Sequence, residues 1–395
     1  MNALTQSPTD SDFVQNPYQF YAAAQDSGPM HVWQDYGLPA AFSYTLVKRL
    51  LRDKRFGREC PAELAQPVPA HLEPFYAIEQ HSMLELEPPR HTRLRGHVLR
   101  AFTTARIQAL RPEIEALSHE LIDRFPDGDF DLLPSFATQI PVIVIARLLG
   151  VPDDLSDQLL SWSNDMVAIY QARRDRAIED AAAKAASEFS DFLRGYIEKR
   201  RAEPANDLIT QLIQAEEGGE GLTTDELITT CVLLLNAGHE ATVHSMGNGI
   251  KTLLEQNTPP EALAPHHIEG TVEEILRFDP PLHLFTRYAY EDAEIEGHQL
   301  KRGDQVALLL ASANRDPNAY PHPDVFDPFR KGPTNMSFGG GVHFCVGAPL
   351  ARLELQVALP ILFERCPDLK LAEPPRYANL FHFHGLERLM VNRGG

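Results

Sequence analysis

The stretch from residue 222 to residue 256 limits most strongly what this chain can become. Thr223 and Glu226 stand at capping-box spacing, and Leu222 with Leu227 supplies a hydrophobic staple, so a helix starts there. It should stop before Pro259 and Pro260, which cannot continue it. About 33 residues rising ~1.5 Å each make a rod of roughly 50 Å, able to cross the whole molecule. Its first half (Leu227, Ile228, Cys231 to Leu235) is apolar around most of its circumference, the mark of a helix buried in a large core. Then Ala237, Gly238, His239, Glu240, Ala241 and Thr242 break the pattern. An internal Gly costs ~1 kcal/mol relative to Ala, so it needs a reason. Either Gly238 permits a close helix crossing while Glu240 reaches an Arg, or the missing side chain makes room for a ligand lined by polar groups. The helix alone leaves both open.

The rest of the chain supplies that core. Helical periodicity dominates, over residues 105–124 and 178–201 for example, while residues 290–300 and 305–310 look like a small sheet region. The class is mainly α with a minor β part. A length of 395 residues suggests two or three domains, because single cores usually stop growing near ~250–300. With 43% hydrophobic and 23% charged residues, wholesale disorder is excluded. The net charge of −19 argues against a broad nucleic-acid surface, leaving room only for a local basic patch. No apolar run approaches the ~18 residues of a membrane span, and the polar start lacks the features of a signal peptide. A cytoplasmic protein is the expectation. The four cysteines, Cys60, Cys231, Cys345 and Cys366, form no CxxC pair and no disulfide framework.

One of them stands in a special setting. Phe338-Gly339-Gly340-Gly341-Val342-His343-Phe344-Cys345-Val346-Gly347 surrounds a cysteine with four glycines, just before an apolar helix over residues 348–364. Helix N-termini favour a thiolate, and a thiolate in a rigid loop can be a metal ligand or a nucleophile. A tight turn around a buried, inert cysteine fits the same residues. No Gly-Lys-Ser/Thr follows, which disfavours a phosphate loop, and no second ligand set at zinc spacing stands nearby.

The string resembles the heme-binding loop of the cytochrome P-450 superfamily. Further motifs fall in that family's order: Asn16-Pro17-Tyr18, Asp53-Lys54-Arg55-Phe56, Glu274-Ile275-Leu276-Arg277, Asn314-Arg315-Asp316-Pro317 and Phe326-Asp327-Pro328-Phe329-Arg330. The helix carrying residues 237–242 resembles the family's oxygen-activation helix. The resemblance implies a triangular-prism fold with heme b between the long helix and the cysteine-loop helix. Since the implied heme contacts are spread along the chain, residues 1–395 are expected to form one heme-thiolate domain with no fused reductase.

It also implies roles. Cys345 is the axial iron ligand, Phe338 screens it, and backbone at Gly339 and Gly347 approaches the sulfur. His91, Arg95, Arg287 and His343 hold the propionates, with Glu87 standing where the family usually has Asp. Glu274, Arg277 and Arg330 form a structural ion-pair cluster. Glu240 fits the family's acid, but the next residue is Ala241 where a Thr is usual. Thr242, ordered water or the substrate is then expected to complete proton delivery, unless the Thr242 hydroxyl merely bonds back to the helix. The substrate walls implied are Met83, Leu234, Ala237, Gly238, Leu282, His283, Leu284, Phe285, Phe381, His382 and Phe383. They suit a mid-sized hydrophobic molecule with a polar handle. The His382-x-His384 pair is a weak metal signal.

The activity implied is insertion of one oxygen atom from O2 into a hydrophobic substrate by hydroxylation, epoxidation or O-dealkylation. Electrons would come from NAD(P)H through a reductase and a ferredoxin docking near Arg90, Arg93 and Arg100. A monomer is expected, with no nucleic-acid or membrane partner. A peroxide-using enzyme is an alternative prompted by Ala241, although the Arg-Pro pair of such relatives is absent. A non-catalytic heme sensor is a second alternative, from which Glu240 would be missing.

Overall fold

The long helix runs over Thr224–Glu255 in the computed structural model, which describes residues 2–171, 173–216, 221–381 and 383–394. Its capping box is complete. The Thr223 hydroxyl accepts from the Glu226 N–H, and the Glu226 carboxylate accepts from the Thr223 N–H at 2.9 Å. The helix crosses the core, packing against Gln139–Leu149, Ser156–Val167, Arg176–Ala202, Ile268–Phe278 and Ala348–Arg365. The apolar helix Gln139–Leu149 ends at Gly150 in the left-handed region (φ 86°), and Asp175 caps Arg176–Ala202. Residues 105–124, expected as one helix, form two. Thr104–Ala109 ends at Leu110, and Arg111–Asp123 restarts with Pro112 in its first turn, where a missing N–H costs nothing.

The largest sheet has six strands in the order Ala3–Leu4, Met30–Trp33, Leu38–Ala41, Gln305–Leu309, Leu284–Ala289 and Phe56–Gly57. Leu284–Ala289 pairs antiparallel with Gln305–Leu309, placing Arg287 opposite Val306. Within residues 290–300, the separate hairpin Ala293–Ile295 with His298–Leu300 forms, so the two segments do not share one sheet. One buried apolar cluster collects side chains from Phe13 to Val391, and a second lies under the six-stranded sheet. Among the described residues, no helix is long and apolar enough to cross a membrane.

Glu274, Arg277 and Arg330 meet. Glu274 and Arg277 lie one turn apart on Ile268–Phe278 and pair in bidentate fashion, Nε to Oε2 and Nη2 to Oε1, both at 2.7 Å. Arg330 Nε donates to Glu274 Oε1 at 3.1 Å, and so does the Asp327 N–H at 2.9 Å. Arg277 also donates to the carbonyls of Asn314, Pro323 and Val325, and Arg330 to those of Pro321, His322 and Val325. The cluster therefore pins the long segment that leads into the cysteine loop.

Candidate active site

The cysteine loop is closed by its own backbone. The Cys345 N–H donates to Phe338 O at 3.1 Å, and the Gly339 N–H to Met336 O at 2.8 Å. Gly339 and Gly341 take φ of +68° and +70°, and a Cβ at Gly341 would stand 2.2 Å from Leu51 O. Only glycine meets both demands there. Phe338 lies under the Arg352 guanidinium, 4.4 Å from the ring centroid. Burial raises the pKa of the Cys345 thiol. The Gly347 and Ala348 N–H groups and the charges of Arg95 and Arg352 pull it back only in part. A cationic partner is what would hold this sulfur as a thiolate.

Beside the loop lies a group of basic side chains with few anions. Arg95, on the helix Arg90–Ala101, donates to Phe344 O at 2.6 Å, tying that helix to the loop. Arg287 is buried and donates to Thr286 O at 2.7 Å; no carboxylate is within ion-pair reach of either arginine among the described residues. Burial brings Arg287 down to about 10. His91 is buried with Nδ1 unpartnered, its ring 4.5 Å from that of His343. Burial, then the charges of His343 and Arg95, hold His91 at about 4. His343 Nε2 pairs with Glu87 Oε1 at 2.8 Å, so Glu87 is the one carboxylate of the set. Desolvated cations with an unpartnered imidazole nitrogen are a cradle for an anion, and they fit a group bearing carboxylates. Together with the cysteine nest, these residues fit heme.

The long helix turns an open stripe to one side. Ala237 is exposed, and Leu233, Glu240, Ala241 and His244 are half-buried, although residues 226–232 and 245–250 on either side are buried. Their three- and four-residue spacing puts them on one face. Gly238 lies off that stripe; its Cβ would contact Ile145 Cγ1 at 3.4 Å. That is ordinary van der Waals contact, so position 238 faces the helix Gln139–Leu149 rather than the stripe, and the expectation that it lines the substrate space is corrected. Among the described residues, Glu240 reaches no Arg. Its Oε2 is 3.4 Å from His239 Nε2 and its Oε1 3.4 Å from His244 Nε2. Burial pushes the Glu240 carboxyl up, but the two imidazoles outweigh it and hold the group well below the usual carboxylate range. The Thr242 hydroxyl is buried and donates back to Gly238 O at 3.1 Å. This is the arrangement in which the hydroxyl bonds back to its own helix, with its lone pairs left as acceptors.

The other expected wall residues divide. Met83, Leu234 and Leu284 are buried. Phe285 packs on the cysteine loop, where a Cβ at Gly339 would come within 3.2 Å of its ring. Leu282 and Phe383 pair in an isolated antiparallel bridge, and Phe383 lies 6.1 Å from the His244 ring. Two expectations are overturned. Phe381 is core, packed on Phe13 at 5.0 Å and Trp33 at 5.6 Å. His283 is fully buried, with Nδ1 2.8 Å from the Tyr21 hydroxyl. The resemblance places both by position in the chain, which does not say which way a side chain turns. His382 lies outside the described residues. His384 faces Asp279 at 3.5 Å, in a nest where Tyr18, Tyr377 and Lys251 already engage that carboxylate. Sequence reasoning missed His244 and Arg352; the four-residue step from Glu240 to His244 was the available signal for the first.

Comparisons with known proteins give the family and the fold. The family profile Cytochrome P450 matches residues 267–374. "Polyketide biosynthesis cytochrome P450 PksS" of Bacillus subtilis (strain 168) is 35% identical, with 99% of each chain covered. "Cytochrome P450 monooxygenase PikC" of Streptomyces venezuelae is 36% identical over 92% of this chain and 87% of that protein. The structure "P450BioI in complex with hexadec-9Z-enoic acid ligated Acyl Carrier Protein" superposes with a TM-score of 0.91 at 33% identity, covering 97% of this chain and 100% of that one. The chain belongs to the cytochrome P450 family, with its fold and its monooxygenase activity. The family's heme with cysteine ligation is implied by that membership.

Proposed function

We propose that residues 1–395 form one heme-thiolate monooxygenase domain acting on a mid-sized hydrophobic substrate with a polar handle. Cys345 is the axial ligand, screened by Phe338, with Gly339 shaping the turn and the Gly347 N–H directed at the sulfur. His91, Arg95, Arg287 and His343 hold the propionates. A thiolate-bound heme supplies O2 activation when present. The chain's own residues bind and orient the substrate, exclude water and hold protons. Leu234, Ala237, Leu284, Phe285, Met83, Leu282 and Phe383 form the walls. The observation that carries this reading is the Cys345 nest beside cations that have almost no carboxylates of their own. Glu240, on the open stripe, favours an enzyme over a sensor.

Electrons arrive from NAD(P)H through a reductase and a ferredoxin. Docking falls to Arg90 and Arg100 more than to Arg93, which is already paired with Glu226. Exposed Leu99, Val342 and Phe344 add apolar contact on the same helix and the cysteine loop. Reversing Arg90 and Arg100 to Glu should lower ferredoxin-driven turnover and flatten its salt dependence, whereas Arg93→Glu alone has a smaller effect.

The reduced, carbon monoxide-bound spectrum tests the assignment. A thiolate-type band that Cys345→Ser abolishes is expected; an imidazole-type band in the unaltered protein overturns it. A library screen for the low-spin to high-spin shift, with myristic acid as a first probe, then defines the substrate class.

A further inference from the structure

Gly385 has no left-handed φ to explain it, yet a Cβ there would stand 1.8 Å from His244 Nδ1 and 2.3 Å from its Cε1. The imidazole therefore occupies the space a side chain at 385 would take. The loop is fixed in that position, since Gly385 N–H donates to Phe383 O at 3.1 Å and Ala378 N–H to Gly385 O at 2.9 Å. So seated, His244 presents Nε2 to Glu240 Oε1 at 3.4 Å, one helical turn away on the open stripe. Both side chains keep some exposure, 16% for His244 and 20% for Glu240, so the pair can exchange protons with water. Between them in sequence, Ala241 offers no hydroxyl and Thr242 has given its own to Gly238 O.

We propose that His244, oriented by the Glu240 carboxylate and seated by Gly385, is the proton-carrying group on the open face of the long helix. Glu240 remains ionised and faces Nε2 of the ring at 3.4 Å, where it favours the protonated imidazole over the neutral one. When the site draws a proton, the pair gives up one, leaving neutral imidazole beside carboxylate. Water at the exposed edge returns one proton, and the charge is restored. Other titratable groups face the pair: His239 from the same helix, His384 from the loop, and Asp279 and Lys251 behind His384. The proposal rests on the monooxygenase reading of this helix face.

Two measurements decide it. In holoprotein with 15N-labelled histidine, reduced and bound to carbon monoxide, Glu240→Gln should lower the pH midpoint of the His244 ring signal by about half a unit or more. An unchanged midpoint means that the two groups share no proton, and the proposal falls. This arm needs no substrate. With myristic acid as occupant, His244→Phe and Gly385→Ala should each raise several-fold the share of NADPH electrons lost as hydrogen peroxide. Each should also shift the pH profile of that share, because each removes the imidazole from Glu240. His244→Gln, which fills the space without a titrating proton, should restore packing but not the profile. A wild-type profile in His244→Phe, with the thiolate-type carbon monoxide band intact, overturns the proposal while leaving the monooxygenase reading standing. Loss of that band in the unaltered protein is the separate failure of that reading.

Discussion

Two sets of charged side chains lie near the cysteine loop and are built in opposite ways. Around Glu274, every cation has a carboxylate and several carbonyls: Arg277 and Arg330 are only 2% and 11% exposed in their side chains and fully engaged. Around Cys345, among the described residues, Arg95 and Arg287 hydrogen-bond to backbone carbonyls alone and His91 has an unpartnered nitrogen. A saturated cluster has its desolvation compensated within the chain. An unsaturated one leaves desolvated charge whose cost is offset only by an anion from outside the chain. The first set is architecture, and the second is a binding site.

The comparison breaks if the two sets respond alike. Arg277→Ala should cost about 3–5 kcal/mol, since it leaves Glu274 buried without its main partner. Denaturant unfolding measures this, and Arg277→Lys should not restore it, because one ammonium cannot replace a two-pronged fork plus carbonyl contacts. Gly341→Ala should cost roughly 1–2 kcal/mol for the left-handed backbone, with the clash at Leu51 O added, and should lower heme content as the loop is displaced. Arg287→Ala should behave differently from both. It should weaken heme retention by about tenfold or more, from the loss of charge-assisted hydrogen bonds, while the heme-free protein unfolds no more easily than the parent. If heme-free Arg287→Ala is as unstable as Arg277→Ala, the distinction fails.

The smallest effect is a pH dependence. The fold holds His91 at about 4, below its ordinary 6.5, and so favours the neutral ring. That contribution is complete above about 6.5 and is lost as pH falls through about 4. Heme-free protein should therefore lose stability across this window more steeply than its His91→Gln variant. Equal slopes would show that His91 is not buried uncharged.

Much of the site was legible because its constraints are local. The capping box, the one-turn spacing of Glu274 and Arg277, and the glycines about Cys345 each act within a few residues, so periodicity and backbone permissiveness reveal them. The direction of Gly238 was not legible, because it depends on Ile145 from another helix. Nor were the burial of His283 against Tyr21 and of Phe381 against Phe13, each set by a segment more than two hundred residues away. The break at Leu110 was foreshadowed by Pro112 but masked by continuous amphipathic spacing.

By itself, then, the sequence determined the family's cysteine loop, the long capped helix and the candidate cations at His91, Arg95, Arg287 and His343. The capped helix and the glycine-built loop follow from residue type at short spacing, and the roles of the four basic residues from the family resemblance. Only the tertiary structure decided which of those charges find partners, that Thr242 turns back to its helix, and that His244 reaches Glu240 in space left by Gly385. The reason is physical. Local conformation depends on neighbours in the chain, whereas desolvation and charge pairing depend on whatever the fold brings within a few ångströms.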